Sequence, residues 1–502
     1  MEIRVDRESP VPLYLQISGS IKEFILSGKL ADGHKLPPER RLARALGVNR
    51  STILSAYRQL KAEGIIGAHV GRGTEVLPAT LDGVPSELIQ PLPWRQLAHE
   101  AAAREPDPLL RDILALTERR DVICLSVGLP APELLPVKAL NRIQERLLAE
   151  RGAEVLLHSP TEGVTAFREA VCQHMTTRGI QSSVPEILIT SGSQQGLDLT
   201  TRVFLSPGDA VVVEQPSYFG ALEVFRGARV RLLGVPADAE GMRTDVLESL
   251  LTRHRPKMIY TLPTFQNPSG CVLSLERRRH LLDLAYRYQI PVLEDDPYSD
   301  LRYDGEAVPS LKAMDRHGHV IYLSSFSKIL FPGLRLGFIA APRQVVRQLA
   351  LAKQAIDLHS NTFGQWVIER FISEGAITKH LAAVRREYAR KRDAMLSALA
   401  ESAPRDFTWN QPEGGFYVWC RYSEAISPAR LLQKASRERV SFLPGSASFS
   451  AEPVGNHLRL NFSFAPPEQI REGVMRLMRA IRASEVKGPD PNDAIQGTPP
   501  IV

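Results

Sequence analysis

Five polar residues between positions 267 and 335 have the types and the order that one cofactor site would need. Lys328 offers an amine for a Schiff base, and Asp295 offers a carboxylate that can pair with a protonated ring nitrogen. Asn267 and Tyr298 can hydrogen-bond a phenolate oxygen, and Arg335 suits a phosphate. Together these groups predict a pyridoxal phosphate (PLP) site. A lone lysine after a strand is usually only solvated, so the prediction for Lys328 depends on the other four residues.

Short apolar runs precede most of these residues and predict the strands that position them. The runs are 187–190, 210–214, 258–260, 291–294 and 320–323. Helical segments alternate with them, and glycines, prolines and acids follow them. This pattern predicts an α/β domain with a mostly parallel sheet, whose ligand lies at the carboxyl ends of the strands.

Further residues offer contacts to the phosphate and to the ring. The segment Ser191–Gln195 follows one strand and should open a helix, where backbone amides can bind a phosphate. Ser325 and Arg335 are further phosphate partners. Tyr218 could stack on an aromatic ring, although by itself it is more typical of a packing residue.

Residues from about 120 to 480 resemble fold-type I aminotransferases, closest to the branch that includes aminoadipate and kynurenine transaminases. The resemblance implies that Lys328 is the aldimine lysine and proton shuttle, and that Asp295 pairs with the pyridine nitrogen. It implies that Asn267 and Tyr298 bind the ring oxygen and that Tyr218 stacks on the ring. The implied phosphate ligands are Ser193, Gln194, Ser325 and Arg335. Arg459 would grip a substrate carboxylate, the alternative being an ordinary arginine at a strand end.

One position departs from this family's pattern. The family usually has Tyr-Gly-Asp-Pro-x-Gly where this chain has His158-Ser-Pro-Thr-Glu-Gly163. In relatives that tyrosine reaches the cofactor phosphate of the partner subunit. An imidazole can still donate a hydrogen bond, so the change puts the phosphate contact and its pH dependence in question.

The first seventy-odd residues have a different pattern, that of three helices and a hairpin. Apolar residues at helical spacing predict a first helix that Gly28 ends, a second helix over 36–46, and a third that Asn49 caps. The residues expected to share a face within each helix are Ile17, Ile21, Phe24 and Ile25; Leu42, Ala45 and Leu46; and Ile53, Tyr57 and Leu60. Gly47 makes the turn between the second and third helices, and 65–76 predicts a hairpin with its tip near 71–73. Helix, glycine-containing turn and helix indicate a helix-turn-helix.

The motifs of residues 10–77 resemble the winged helix-turn-helix of the GntR family of bacterial repressors. The resemblance implies that Arg40, Arg50, Ser51 and Thr52 face DNA and that the hairpin, with Arg72, touches the minor groove. Arginine suits a bidentate contact to guanine or phosphate, and hydroxyls at a helix N-terminus suit phosphate. The alternative is that these basic residues only form a solvated surface.

Composition limits the other possibilities. Residues 1–77 hold 12 Lys and Arg against 8 Asp and Glu, a net charge of +4 within a chain total of +6, which favours a polyanionic partner. The four cysteines match no metal spacing, and we expect no metal, no membrane span and no signal peptide, hence a cytoplasmic protein.

We expect domains at 1–77 and 121–484, a proline-rich linker over 78–120 and a disordered tail over 485–502. The larger domain should carry a smaller C-terminal α/β subdomain.

Joined in this order, the two parts resemble the MocR family of bacterial regulators. The resemblance implies a homodimer that binds operator DNA and senses an amino acid or amine through aldimine formation at Lys328. The alternative is a working aminotransferase with an accessory DNA-binding head. A third possibility is an inactive body that serves only as a dimerisation scaffold.

Overall fold

The computed structural model describes residues 3, 5–7, 9, 11–69, 73–77 and 121–485. The chain divides into two compact units, residues 1–97 and residues 98–502, which we call the head and the body. The expected linker over 78–120, the tail from 486 onward and Arg72 lie outside the described residues.

The head contains three helices and a small sheet. Its elements are α1 (Leu13–Leu26), β1 (Lys35–Leu36), α2 (Glu39–Leu46), α3 (Arg50–Ala62), β2 (Ile66–His69) and β3 (Gly73–Val76). The strands pair antiparallel in the order β1-β3-β2, so β2 and β3 form the predicted hairpin.

The core of the head follows the predicted helical faces, with one correction. Ile17 and Ile21 of α1 are buried against Ile53, Tyr57 and Leu60 of α3 within one cluster. In α2 the expectation for Ala45 was wrong. Ala45 is exposed and Ala43 is buried beside Leu42, because the face of the short helix that packs on the core contains Leu42, Ala43 and the partly buried Leu46.

The turn between α2 and α3 has the local geometry that the sequence predicts. Gly47 ends α2 in the left-handed conformation, with φ of 61°, which glycine adopts without steric cost. The side chain of Asn49 then caps α3 by accepting a hydrogen bond from the Ser51 amide at 3.2 Å.

The body is an α/β fold. Its strands are β4 (Ile123–Cys124), β5 (Ile187–Thr190), β6 (Ala210–Gln215), β7 (Arg231–Asp238), β8 (Gly241–Met242), β9 (Met258–Thr261), β10 (Val292–Asp295), β11 (Val320–Ser325), β12 (Gly337–Ala340), β13 (Thr408–Trp409), β14 (Tyr417–Tyr422), β15 (Val440–Ser441), β16 (Leu443–Pro444) and β17 (Asn456–Asn461). Its α-helices are α4 (Val137–Arg151), α5 (Thr165–Thr176), α6 (Gly192–Phe204), α7 (Phe219–Gly227), α8 (Thr244–His254), α9 (Leu275–Tyr288), α10 (Leu311–Met314), α11 (Arg343–Asp357), α12 (Thr362–Ser373), α13 (Ala376–Ser402), α14 (Pro428–Arg437) and α15 (Pro467–Glu485).

The main sheet has the order β5-β12-β11-β10-β9-β6-β7-β8. The pairs from β11 through β10, β9 and β6 to β7 are parallel, whereas β12 lies antiparallel between β5 and β11. All five predicted strands belong to this sheet. Their buried, β-branched runs are typical of a sheet that is covered on both faces.

The C-terminal part of the body forms a smaller subdomain, in which a second sheet packs against helices. An antiparallel sheet in the order β13-β14-β17-β16 packs with α13, α14 and α15 around one apolar cluster. The short strand β15 pairs parallel with β4, which fixes residues 123–125 against this part. This pairing places Ser126 and Gly128 next to the carboxyl ends of the main sheet.

The described residues contain neither a helix that could span a membrane nor a cluster of metal-binding side chains. No helix in the described part of the chain is both long enough and apolar enough to cross a membrane. Among the residues that the structure describes, no group of three or more His, Cys, Asp or Glu side chains is arranged to hold a metal ion.

Candidate functional site

All ten body residues that the sequence predicts for the site line one cavity of about 360 Å³. The cavity lies at the carboxyl ends of the parallel strands, where α/β folds bind ligands. The residues are Ser193, Gln194, Tyr218, Asn267, Asp295, Tyr298, Ser325, Lys328, Arg335 and Arg459.

Lys328 follows β11 in a short 3-10 turn that directs its side chain into the cavity. Its Nζ donates a hydrogen bond to the carbonyl oxygen of Gly128 at 2.7 Å. Burial lowers the pKa of the Lys328 ammonium, and the nearby Arg459 and Arg335 act in the same direction. The lowered pKa increases the neutral fraction of the amine, which is the nucleophilic form.

Asp295 is the last residue of β10 and is 2% exposed. Its Oδ2 accepts a hydrogen bond from the Tyr260 hydroxyl at 3.0 Å, whereas its buried Oδ1 has no hydrogen-bond partner among the described residues. Burial raises the pKa of Asp295 to about 7. An unpartnered carboxylate oxygen facing a cavity is suited to a cationic N–H group of a ligand.

The opening turn of α6 and Arg335 together form a cradle for an anion. Gly192 has φ of 75°, and a Cβ at this position would lie 2.6 Å from Nη2 of Arg335. Only glycine therefore allows the guanidinium to approach the helix N-terminus. Nη1 of Arg335 donates to Ser327 Oγ at 3.3 Å, and Ser327 Oγ lies 2.9 Å from Ser325 Oγ. Amides, hydroxyls and a guanidinium in this arrangement suit a phosphate.

A chain of three side chains supports this cradle from behind. Oε1 of Gln195 accepts from the Ser191 amide at 2.8 Å, and its Nε2 donates to Asp357 Oδ2 at 2.7 Å. Oδ1 of Asp357 accepts from Nζ of Lys353, also at 2.7 Å. The side chain of Lys353 is 0% exposed and that of Asp357 is 25% exposed, so solvent reaches this ion pair only from the side of Asp357.

The residue after Asp357 adopts a strained conformation. Leu358 has φ of 61° and ψ of −56°, and the His359 amide donates back to the Asp357 carbonyl at 2.6 Å. This is a γ-turn of the rare, strained type, and such a conformation costs roughly 1–3 kcal/mol. The turn directly follows Asp357, the last residue of α11, whose carboxylate contacts Gln195 and Lys353.

Arg459 lies on β17 and is 3% exposed. Its Nη1 donates to Asn267 Oδ1 at 2.7 Å and its Nη2 donates to the Ser126 carbonyl. The guanidinium lies over the Tyr417 ring, 4.1 Å from the centroid, and its buried Nε has no hydrogen-bond partner among the described residues. Arg459 is thus oriented by its neighbours inside the cavity, where a carboxylate can reach it.

Tyr417 was missed by the sequence reasoning. Its hydroxyl lies 2.9 Å from that of Tyr298, and a Cβ on Gly128 would lie 2.0 Å from the Tyr417 hydroxyl. Burial raises the pKa of Tyr298 well above its ordinary value, so the Tyr298 hydroxyl keeps its proton. The only sequence signal was the pair Gly414–Gly415 just before β14, and it does not point to the cavity by itself.

Tyr218 and His158 lie in different surroundings. Tyr218 precedes α7 and donates to Gln194 Oε1 at 3.2 Å, so it is held at the cavity wall. His158 is exposed and does not line the cavity of its own chain. Its Nδ1 lies 2.7 Å from Nε2 of His359, which belongs to the turn after Leu358.

Of the predicted DNA-facing residues of the head, Arg40 lies on α2, and Arg50, Ser51 and Thr52 form the first turn of α3. Arg40 and Ser51 are exposed and Thr52 is half-buried. The side chain of Arg50 is 56% exposed and pairs with Glu39 at 3.2 Å. A pair this exposed contributes little to stability, so Arg50 can exchange Glu39 for another anion.

Comparisons with known proteins agree with this division. The model of the aminotransferase class I and II family matches residues 120–477, and that of the bacterial regulatory proteins of the gntR family matches residues 13–76. Aromatic-amino-acid aminotransferase 1 of Thermococcus litoralis is 44% identical over 379 residues, which are 74% of this chain and 91% of that protein. The uncharacterized HTH-type transcriptional regulator YisV of Bacillus subtilis is 34% identical over 468 residues, 93% of this chain and 96% of that protein.

A solved structure supports the same assignment for the body. The α-aminoadipate aminotransferase of Thermus thermophilus, complexed with N-(5'-phosphopyridoxyl)-L-leucine, has a TM-score of 0.73 at 38% identity, covering 78% of this chain and 99% of that chain. The chain belongs to the aminotransferase class I and II family, in the MocR-type arrangement with a GntR head. As a MocR-type chain it combines a DNA-binding domain with a fold that implies a PLP cofactor.

The residues of this MocR-type chain fit that cofactor. The unpartnered Oδ1 of Asp295 suits a protonated ring nitrogen, and the Gly192–Arg335 cradle suits the phosphate. Lys328 lies in the same cavity with a lowered pKa.

Proposed function

We propose that the chain is a PLP-dependent transcriptional regulator whose body binds an amino acid or amine at the cofactor and whose head binds operator DNA. One observation carries the proposal: a GntR head with exposed cationic side chains and a body with a complete set of cofactor groups occur in one chain. A metabolic enzyme needs only the second of these parts.

Each residue of the cavity is assigned a contact with a different part of the cofactor. PLP, when bound, supplies a carbon that exchanges amines and a ring that accepts electrons. Asp295 keeps the ring nitrogen protonated, because its buried carboxylate has an oxygen that lacks a partner. Lys328 holds the cofactor through its amine and, once displaced, holds or moves a proton. Tyr298 and Asn267 donate to the ring oxygen, Tyr218 stacks on the ring, and the cradle binds the phosphate.

Arg459 defines the class of effector. Its guanidinium is buried, keeps one nitrogen without a partner and stacks on Tyr417. A buried arginine with this geometry favours a carboxylate, which can accept two parallel hydrogen bonds. The effector is therefore an amino compound that carries a carboxylate, such as an amino acid.

We infer that the regulator acts as a homodimer. Helix-turn-helix proteins commonly read paired half-sites as dimers. His158, at the position of the tyrosine that reaches the partner subunit's cofactor in relatives, is exposed and outside its own cavity. An effector changes DNA binding only if it has different affinities for two states of this dimer.

A second candidate function is a working aminotransferase with an accessory head. The observation that favours it is the intact set of Lys328, Asp295 and Arg459 around one cavity. The 44% identity to an aromatic-amino-acid aminotransferase points the same way. Turnover of an amino donor with an oxo acid distinguishes this candidate from a sensor.

The deciding experiment measures DNA binding in wild type and in Lys328→Ala. A DNA ligand is first selected with wild-type protein from a pool of random double-stranded oligonucleotides. Fluorescence anisotropy with that DNA is then recorded while a panel of amino acids is added. Lys379→Ala, which removes an exposed lysine on α13, is the matched control.

The sensing proposal predicts that Lys328→Ala binds DNA as wild type does but loses the response to the amino acid, whereas Lys379→Ala keeps it. An unchanged response in Lys328→Ala would contradict sensing through the cofactor. A wild-type protein that ignores every amino acid yet turns over donor and acceptor would favour the aminotransferase.

A further inference from the structure

A second, larger concavity lies in the body, on the other side of the segment that carries Asp295. It is a cleft of about 1260 Å³, compared with roughly 300–1,000 Å³ for typical small-molecule sites. Its lining comes mainly from residues 177–180 after α5, from α9, from the loop that follows β10, from α10 and the residues after it, and from α13. Among the described lining residues, none is shared with the cofactor cavity.

The cleft carries an excess of positive charge. Its charged lining residues are Arg178, Arg279, Arg302, Arg316, Arg385, Asp283, Asp296 and Asp300. Two of the three acids are already engaged. Asp300 pairs with Arg178 and His174, and Asp296 accepts from the Tyr322 hydroxyl at 2.8 Å and from the Ser299 amide at 3.1 Å.

Arg385 and Arg302 each have an acidic neighbour, but these neighbours leave part of each guanidinium without an anionic partner. Nη2 of Arg385 is 4.0 Å from Asp300 Oδ1, and its side chain is 42% exposed. Arg302 stacks on the Phe265 ring at 4.7 Å and pairs with Glu413 through Nη1. Its Nη2 is buried without a hydrogen-bond partner among the described residues, as is Oγ of Ser299. Unsatisfied buried donors are costly, which favours a ligand that accepts hydrogen bonds.

Two further arginines stand at the rim. Arg279 on α9 and Arg316 after α10 are exposed, and neither side chain has a hydrogen bond or ion pair within the described part of the chain. Tyr286 lies between them in sequence and lines the same cleft, with its ring 4.7 Å from that of His317. Arginines alternating with aromatic rings provide both charge and a flat contact surface for an anionic molecule.

We propose that this cleft binds a small molecule bearing an oxyanion, phosphate or carboxylate, with Arg302, Arg385 and the rim pair Arg279 and Arg316 as its cationic partners. The guanidinium groups are suited to bidentate contacts with either oxyanion. The cleft is then a regulatory site of the body, separate from the site proposed for the amino compound.

The segment 295–300 links the cleft to the cofactor cavity. Asp295 and Tyr298 face the cavity, while Asp296 and Ser299 line the cleft. Arg178 adds a second link, because its Nη1 donates to the Tyr322 hydroxyl at 2.9 Å on β11, the strand that leads to Lys328. A ligand in the cleft that displaces this segment would move Asp295. Binding of the anion and binding of the cofactor would then be coupled, each altering the affinity of the other by the same factor.

Isothermal titration calorimetry on the full chain loaded with cofactor tests the site. Pyrophosphate is the probe in one arm and citrate in the other, which distinguishes a phosphate ligand from a carboxylate ligand. The test variant is Arg279→Ala with Arg316→Ala, since both side chains are exposed and their loss spares the core. Arg253→Ala, an exposed arginine of α8 outside the cleft, is the control.

The proposal predicts that at least one probe binds and that the rim variant weakens its affinity by about tenfold or more, the equivalent of losing one charge-assisted hydrogen bond. Arg253→Ala should change the affinity by less than about twofold, as expected for a surface charge without a contact to the ligand. Because Lys328 does not line the cleft, Lys328→Ala should also bind the probe, so failure of the proposed cofactor chemistry would leave this result intact.

Three results would overturn the proposal. The first is that neither anion binds. The second is that the rim variant binds the anion with the same affinity as wild type. The third is binding that Arg335→Ala abolishes and the rim variant preserves, because the anion would then occupy the cofactor's phosphate cradle.

Discussion

Replacement of Asp295 by asparagine isolates the cost of burying a carboxylate in the cavity. Without a cationic partner, Asp295 has a pKa of about 7, against an ordinary value of 3.8, because burial disfavours its charged form. The difference of about 3 units corresponds to about 4 kcal/mol between the two protonation states. Asparagine has nearly the same shape and can still accept the Tyr260 hydrogen bond, but it carries no charge to bury.

The sign of the pH effect follows from the raised pKa. The stabilising contribution of a carboxyl with a raised pKa is present at low pH and is lost as the pH rises through the folded pKa. Between about pH 5 and pH 7 the cofactor-free wild type should lose about 1.4 kcal/mol per pH unit from this group, hence about 3 kcal/mol in total. Asp295→Asn should not show this loss. The free energy of unfolding of the variant should therefore rise relative to that of wild type as the pH increases to 8.

Urea unfolding at pH 5 and pH 8, followed by tryptophan fluorescence, measures the difference. Three of the four tryptophans, Trp366, Trp409 and Trp419, lie in the body, so most of the signal reports the relevant unit. Tyr260→Phe is the second variant, because removal of the hydroxyl that lowers the pKa of Asp295 should enlarge the loss. PLP added at pH 8 should stabilise wild type more than Asp295→Asn, since only the carboxylate gains a cationic partner. Equal pH dependence in wild type and Asp295→Asn would refute the reasoning.

Three further predictions concern other parts of the chain. Lys328→Ala should bind PLP without the absorbance band of a covalently held cofactor, which a spectrum checks. Arg50→Ala should weaken binding to the selected DNA by about tenfold or more in anisotropy, because one phosphate or base contact is lost, and should leave the cofactor spectrum unchanged. Asp357→Asn should weaken PLP binding in an absorbance titration, because Gln195 then loses its charged partner behind the cradle. Asp198→Asn, on the surface of the same α6 helix that carries Gln195, is its control.

Each of these predictions has a result that would contradict it. A covalent band in Lys328→Ala would require another amine in the cavity. A normal DNA footprint of Arg50→Ala would refute the assignment of α3 as the recognition helix. Equal cofactor affinities in Asp357→Asn and Asp198→Asn would mean that the contact between Gln195 and Asp357 does not support the phosphate cradle.

The sequence predicted most of what depends on local pattern. The apolar runs located five strands of the main sheet, because a strand buried on both faces requires a continuous run of such residues. It also predicted the turn at Gly47 and the cap at Asn49, whose geometry depends on a few adjacent residues. The candidate residues of the cavity were predicted because most of them follow strands that end at one edge of the sheet.

What the sequence could not predict depends on contacts between distant residues. Tyr417 reaches the cavity because β14 brings it against Gly128 and Tyr298, and no local pattern indicates that approach. The antiparallel strand β12 lies inside the main sheet, between β5 and β11, yet its short run resembles any buried segment. The cleft with its excess of arginines gathers residues that are far apart in sequence, from Arg178 to Arg385.

The central claim is that the body senses an amino compound through a cofactor at Lys328, and its most direct test is an absorbance titration. Purified protein loaded with PLP is mixed with a panel of amino acids and amines while the cofactor band is recorded. The account predicts that the band is present and shifts to a stable new form with one carboxylate-bearing amino compound. Steady conversion to the amine form of the cofactor, restored by an oxo acid, would contradict a pure sensor, and absence of the band would contradict the role of Lys328.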